Sequence, residues 1–393
     1  MSKQKIVIVG GGFGGVKAAL NLVNNPELDV TLVCPNDNFR YYPSIFKIAV
    51  GKSRLVASIP LREIFKDTNL HILKDNVVSI DRKTKTLVTA KNLSVAYDKV
   101  IFALGAITNY FSIPGMEEFS FNIKSEDGAE KFKNHIHDQL LKTKEPELNY
   151  VIVGGGPTGI ELAGALDQYL KTVLEKHKIT DSKYHIDLIE AKPYLMPRMT
   201  KKIGDRFESR LKKLGIRVYT NATVQGEDAN ELIVNNKPIR THTVVWTAGI
   251  ANNPFYKQND FVLMKNGLVA VDMYLQAEPN IFVIGDNANT PFSGMAQTAL
   301  NDADFVSTNI LRSLREAKLH PYKPKRPFSV VPVGANWAGL NWGKINFYGF
   351  IASLIREVAD LRGFSDIEPI PKALRQLVRE NESYETCKIC KTT

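Results

Sequence analysis

The sequence predicts an α/β chain built on two parallel sheets, and three observations predict it. Ile6-Val7-Ile8-Val9 is an unbroken apolar run followed at once by Gly10-Gly11-Gly12-Phe13-Gly14-Gly15. The same order returns at Tyr150-Val151-Ile152-Val153 and Gly154-Gly155-Gly156-Pro157-Thr158-Gly159. Each glycine turn then enters apolar residues at helical spacing: Val16, Ala19, Leu20 and Val23 after the first, Ile160, Leu162, Ala163 and Leu166 after the second. A strand buried on both faces reads as a continuous apolar run, and parallel sheets bury both faces.

Gly-x-Gly-x-x-Gly between a strand and a helix has a physical purpose. Gly10 and Gly154 allow the tight turn, Gly12 and Gly156 let a diphosphate approach the backbone, and Gly15 and Gly159 let helix and strand pack closely. The helix dipole then faces the anion, with Phe13, Gly14 and Thr158 at the helix start. Glycine-rich turns also occur without ligands, so one motif alone is weak. Two in full strand-turn-helix context predict two Rossmann-like dinucleotide-binding domains, and two dinucleotides in one chain imply electron transfer between them.

An acid at the end of the next strand hydrogen-bonds the adenosine ribose and repels a 2'-phosphate. After the second motif, His185-Ile186-Asp187-Leu188-Ile189 reads as that strand and Glu190 as that acid, favouring NADH over NADPH. Lys192 and Arg198 nearby leave some NADPH use open. After the first motif, Val30-Thr31-Leu32-Val33 ends at Cys34-Pro35, where the acid is missing. Either Asp37 bends back to the ribose or backbone groups and water replace the bond; Cys34 otherwise reads as a small buried apolar residue.

Composition narrows the class. The chain has 393 residues, 44% of them apolar, a formal net charge of +10 and three cysteines. That length suggests two or three domains with cores large enough to need no disulfides or structural metal. No apolar stretch reaches the ~20 residues of a spanning helix, and Met1 to Lys5 run into the first strand without a signal-peptide pattern, so a cytoplasmic location is expected. The positive excess fits solubility or anionic lipid; nucleic acid is not expected, for lack of any reading motif or basic stripe with interleaved aromatics.

Read in this order, the residues resemble the two-dinucleotide-binding-domain flavoproteins, and among them most closely the type II NADH:quinone dehydrogenases, to about residue 350. The resemblance implies that the first glycine motif holds FAD and the second NADH. Tyr41-Tyr42-Pro43 and Ile59-Pro60-Leu61-Arg62 match the family's proline loop and P-L-R turn. Ala103-Leu104-Gly105-Ala106 resembles its A-T-G-A crossover, with Leu104 for threonine, and Trp246-Thr247-Ala248-Gly249-Ile250 resembles the matching segment of the NAD domain. Ile281-Phe282-Val283-Ile284-Gly285-Asp286 resembles the second FAD fingerprint, whose aspartate accepts from the ribityl chain, and Val77 aligns with a residue whose backbone contacts adenine. Ala296-Gln297-Thr298-Ala299-Leu300-Asn301 resembles the A-Q-x-A-x-Q stretch under the flavin and along the quinone pocket, with Asn301 for the last glutamine.

Glu161 matches the acid of the family's T-G-V-E stretch, which orients the nicotinamide or relays a proton to quinone. A carboxylate in a first helical turn is also favourable through the dipole alone. The resemblance thus implies Glu161, Gln297 and Asn301 as catalytic candidates, FAD and NADH as cofactors, no metal, a quinone acceptor reduced without proton pumping, and a homodimer on the inner face of a membrane. The expected domains are residues 1–112 and 256–326 for FAD, 113–255 for NAD, and 327–393 as a C-terminal segment facing a membrane or a second copy. Within it, Lys372, Arg375 and Arg379 fall on one helical face and Leu374, Leu377 and Val378 largely on another, which suits anionic lipid, a dimer contact or docking on the body. Trp337 and Trp342 read as interfacial anchors or as core.

Cys387-Lys388-Ile389-Cys390 has no counterpart in the resemblance; it reads as a redox dithiol, half a zinc site or idle cysteines. No cysteine pair stands beside either glycine motif, against a flavin disulfide reductase or a sulfide:quinone oxidoreductase. Two alternatives keep the cofactors: a protein or dithiol acceptor, or a slow NADH-binding flavoprotein resembling apoptosis-inducing factor.

Overall fold

The computed structural model describes residues 3–142, 147–180 and 183–382. Strand β1 (Gln4–Val9) turns into α1 (Phe13–Leu22), followed by β2 (Leu28–Cys34), β3 (His71–Lys74) and β4 (Lys99–Phe102). Helix α2 (Glu126–Lys142) leads to β5 (Glu147–Val153), α3 (Pro157–Lys176), β6 (Lys183–Ile189), α4 (Lys201–Lys213), β7 (Arg217–Tyr219) and β8 (Thr243–Trp246). Then come β9 (Gln276–Glu278), β10 (Ile281–Val283) and α5 (Ala296–Leu314). Strands β11 (Ser329–Pro332), β12 (Ala338–Trp342) and β13 (Ile345–Gly349) precede α6 (Phe350–Ser365) and α7 (Ile370–Glu382).

The first sheet has the order β9-β10-β4-β1-β2-β3, parallel except for the β9–β10 pair. The second, β7-β6-β5-β8, is parallel throughout. This is an α/β fold with two Rossmann-like sheets, and the two apolar runs form their central strands. Ile8 pairs with Leu32 on one side and Ile101 on the other, as Ile152 does with Leu188 and Val245, and all six are buried. Two short antiparallel strands, Ile107–Thr108 and Ile250–Ala251, lie where the chain passes between the two sheets.

Strands β11 to β13 form a small antiparallel sheet wedged between α4 and α6. Glycines let it approach the second sheet's helices. A Cβ on Gly164 of α3 would lie 2.5 Å from the backbone nitrogen of Gly334, and one on Gly339 would run into the Phe207 ring. Phe207 also meets Trp337 edge to face at 5.7 Å, while Arg210 donates to the carbonyl of Val333 at 3.2 Å. Trp337 is therefore packed, whereas Trp342 is 59% exposed.

Helix α7 carries the amphipathic segment of the C-terminus. It buries Ala373 and Gln376 and leaves Leu374 and Val378 exposed, with Lys372 Nζ donating to the carbonyl of Glu63 at 3.1 Å. Periodicity separates an apolar from a basic face but does not say which turns inward. The side chain of Arg379 and the whole Cys387–Cys390 motif lie outside the described residues. Helix α5 begins at Ala296, just after Gly294 at φ +92°. No helix among the described residues is long and apolar enough to cross a membrane.

Candidate functional site

A cavity of about 1440 Å³ opens at the carboxyl ends of β1, β2, β4 and β10, the crevice where open α/β sheets bind ligands. Its opposite walls are the N-terminus of α3, the small sheet and α6. From the first turn, Gly10, Gly12, Phe13 and Gly14 line it. Pro35, Pro43 and Val77 join from the following loops, and Ala103, Leu104 and Gly105 from the crossover. Gly285 and Asp286 enter beside the start of α5, where Ala296, Gln297 and Asn301 face the cavity, and Thr158 and Glu161 enter from α3.

The turn conformations explain why glycines are required. Gly10 and Gly154 sit at φ +116° and +117°, a region that disfavours any side chain. A Cβ on Gly10 would run into the carbonyl of Ala103, and one on Gly15 or Gly159 into the carbonyl of Gly10 or Gly154. Gly12 and Gly156 differ: both cap a helix in extended conformation and have nothing within 4 Å of a would-be Cβ. The two turns are locked from behind and open in front, as a backbone cradle for a diphosphate needs to be.

Other expected residues lie outside the cavity lining. Gly15 is behind the turn, and Thr298 donates from its hydroxyl to the carbonyl of Phe292 at 2.8 Å. Cys34 is buried against Gly11, and its thiol, pushed up to about 11 by burial, donates to the carbonyl of Asn36 at 3.4 Å. Asp37 pairs with Lys74 on the surface instead of reaching back. Asn36 and Asn38 line the cavity there, amides where an acid was expected.

The second turn forms its own site beside the cavity. Glu190 Oε2 accepts from the Gly155 N–H at 2.8 Å and Oε1 from the Lys192 N–H at 2.7 Å, which orients the carboxylate at the end of β6. Thr247 Oγ1 donates to the carbonyl of Val153 at 2.8 Å, placing Ala248 against Gly154 and Gly249 at φ +92° beside Phe111.

Glu161 is where the two halves meet. Its Oε1 accepts from Arg356 Nη1 at 2.9 Å, and Arg356 Nε donates to Asp360 Oδ2 at 2.9 Å. The same guanidinium reaches the carbonyls of Val330 and Pro43 at 2.8 and 3.0 Å. Burial pushes the Glu161 carboxyl up to about 7, and Arg356 opposes the shift. The Gln297 amide donates to the carbonyl of Phe328 at 3.1 Å and accepts from the Phe328 N–H at 3.2 Å. Both ends of that amide thus hold the strand leading into β11. Asp286 carries a raised carboxyl, chiefly through burial, offset by the Ala106 N–H and by Lys124 and Arg198. Among the described residues no cluster of His, Cys, Asp or Glu could hold a metal ion.

The arrangement has known counterparts. The family profile for pyridine nucleotide-disulphide oxidoreductases matches residues 4–303. The type II NADH:quinone oxidoreductase Ndh of Mycobacterium tuberculosis is 30% identical over 384 residues, covering 90% of this chain and 82% of that protein. A type II NADH:quinone oxidoreductase of Staphylococcus aureus is 23% identical, covering 95% and 98%. In fold, the chain matches NDH2 from Plasmodium falciparum in complex with NADH at a TM-score of 0.87, with 20% identity and coverage of 97% and 98%.

The glycine geometry predicts a split in mutant behaviour. Gly12→Ala and Gly156→Ala are expected to melt with the native protein yet bind the dinucleotide at their own turn about ten-fold more weakly, because the methyl occupies ligand space. Gly10→Ala is expected to lose stability instead. Melting curves and dinucleotide titrations check this; unchanged affinity in both cap variants would contradict the cradle.

Proposed function

The chain belongs to the pyridine nucleotide-disulphide oxidoreductases and, within them, to the type II NADH:quinone oxidoreductases, and from this we propose that it oxidises NADH through FAD and delivers the electron pair to a quinone. The observation that carries the reading is a single cavity in which the first glycine turn, the Gly285–Asp286 turn, the α5 N-terminus and Glu161 converge. These residues suit FAD: Gly10 to Gly14 for the diphosphate, Asp286 for a hydroxyl of the ribityl chain, and Pro43 and Ala296 flanking the ring system. Bound there, FAD supplies the two-electron exchange between NADH and quinone.

The chain's own groups do the rest. The second turn and the α3 dipole hold the NADH diphosphate, and the oriented Glu190 carboxylate accepts from the ribose while repelling a 2'-phosphate. Phe328, Val330, Val331, Leu340 and Ile355 give the cavity an apolar wall suited to a quinone, beside Asn301. Gln297 acts by positioning Phe328. Reduction follows NADH + H⁺ + quinone → NAD⁺ + quinol, so one proton comes from the medium. Glu161 supplies it from Oε2, since Oε1 accepts from Arg356.

The mouth of the cavity sets the acceptor's route. Trp342, Ile345 and Phe347 both line the cavity and are exposed. Next to them Phe350, Ile351, Leu354 and Val358 form an exposed stripe on α6, continued by Ile370, Leu374 and Val378 of α7. A lipid-dissolved quinone enters from a bilayer on which this face lies. A second copy covering the same face is the competing arrangement.

Two outcomes are expected. Quinone reduction should fall as pH rises through about 7, where Glu161 loses its proton. Glu161→Gln should slow it about 100-fold and remove that limb while NADH still bleaches the flavin rapidly. Anaerobic stopped-flow with NADH followed by a short-chain quinone reads both steps; an unchanged pH profile in the variant would remove Glu161 from the proton path. Ile351→Glu with Val358→Glu should abolish co-sedimentation with anionic vesicles at unchanged turnover of a soluble quinone; retained sedimentation, or loss of a dimer in its place, would contradict the bilayer arrangement.

A further inference from the structure

Behind the cavity lies a carboxylate that the reaction does not use. Asp302, on α5, is fully buried. Its Oδ2 accepts from the backbone N–H of Gly285 at 3.0 Å and its Oδ1 from the Tyr322 hydroxyl at 2.6 Å. Gly285 sits at φ +70°, and its carbonyl accepts from Ser293 Oγ at 3.1 Å, so the peptides on either side of this residue are both held by side chains. Tyr322 is fixed in turn: its N–H donates to the carbonyl of Met273 at 2.7 Å, and its ring meets Phe305 edge to face at 5.1 Å. Tyr322 belongs to the basic, proline-rich stretch before Phe328, which composition alone reads as a surface linker; here it reaches into the base of the first sheet's crevice.

Gly285 is the residue before Asp286, whose carboxylate enters the cavity. We propose that Asp302 and Tyr322 are positioning residues for the flavin: Asp302 fixes the Gly285 N–H and with it the direction in which Asp286 points, and Tyr322 fixes Asp302. The inference rests on the FAD reading of the first site. Without an acceptor the buried N–H is left unpaired, and the peptide regains a partner only by turning, which turns Asp286 with it. What this role needs is an acceptor at one place, not a charge. An asparagine meets that need, since its oxygen accepts from Gly285 while its amide donates to the tyrosine oxygen. Burial raises the Asp302 carboxyl to about 6, and Asp286 adds to the shift, so a neutral replacement is not opposed by its surroundings.

The test is the release of FAD from the purified full-length protein on serial dilution, read by the fluorescence of the freed flavin. Asp302→Ala is expected to raise the dissociation constant about ten-fold or more and Tyr322→Phe about five-fold, while Asp302→Asn stays within about three-fold of the native value. ADP-ribose affinity at the second glycine turn should be unchanged in all three, a readout that a general loosening of the fold would move. Should Asp302→Ala not fold, Tyr322→Phe against Asp302→Asn still decides. Unchanged FAD release in the variants would overturn the positioning role, and so would an asparagine variant as impaired as the alanine one, which assigns the effect to charge. A native protein that takes up no FAD would overturn the flavin reading itself and this inference with it.

Discussion

The structure depends on how one buried guanidinium is satisfied. Arg356 projects from α6 into a place where α3, the Pro43 loop and β11 converge, and it bonds to all three as well as to Asp360 on its own helix. An isolated charge in such a site would be prohibitive, and an arginine is tolerated because its fork of donors finds fixed acceptors in the directions it points. Tyr41 and Lys47 complete the cluster, donating to Asp360 at 3.1 Å and lying 3.8 Å from it. Segments far apart in sequence are thereby set around one cavity, and the C-terminal wall becomes part of a site that the two glycine motifs only begin.

The same network gives Glu161 its chemistry. A carboxylate in the second turn of α3 would stay ionised in water; here burial raises it and the guanidinium limits the rise. The balance leaves a group that changes protonation near neutral pH, next to the apolar wall of the cavity. The small sheet walls the cavity beside Glu161, and its anchoring on α3 and α4 through Gly164, Phe207 and Arg210 holds it there.

Much of this was legible in the residues, for reasons that differ from part to part. The glycine turns were readable because each glycine answers a local steric demand that shows up in short-range spacing. Glu190 was readable because a strand end is itself a local feature. Arg356 was not: it lies 195 residues from Glu161, and its i,i+4 pairing with Asp360 looks like any intrahelical ion pair. Tyr322 was hidden in a basic, proline-rich linker, and the commitment of the Gln297 amide to Phe328 is something only the three-dimensional path reveals. Cys34 falls at the expected strand end yet turns inward, because the alternation of a strand decides the side chain's face and composition does not.

The measurement that tests this account most directly is a double-mutant cycle on unfolding free energy with Glu161→Gln, Arg356→Leu and the pair. If the guanidinium is the shared anchor, Arg356→Leu alone costs about 3 to 5 kcal/mol by leaving buried carboxylates uncompensated. The pair should then be coupled by about 1 to 3 kcal/mol. Additive losses, or an Arg356→Leu protein as stable as the native one, would show that the cavity is organised by something other than this ion pair.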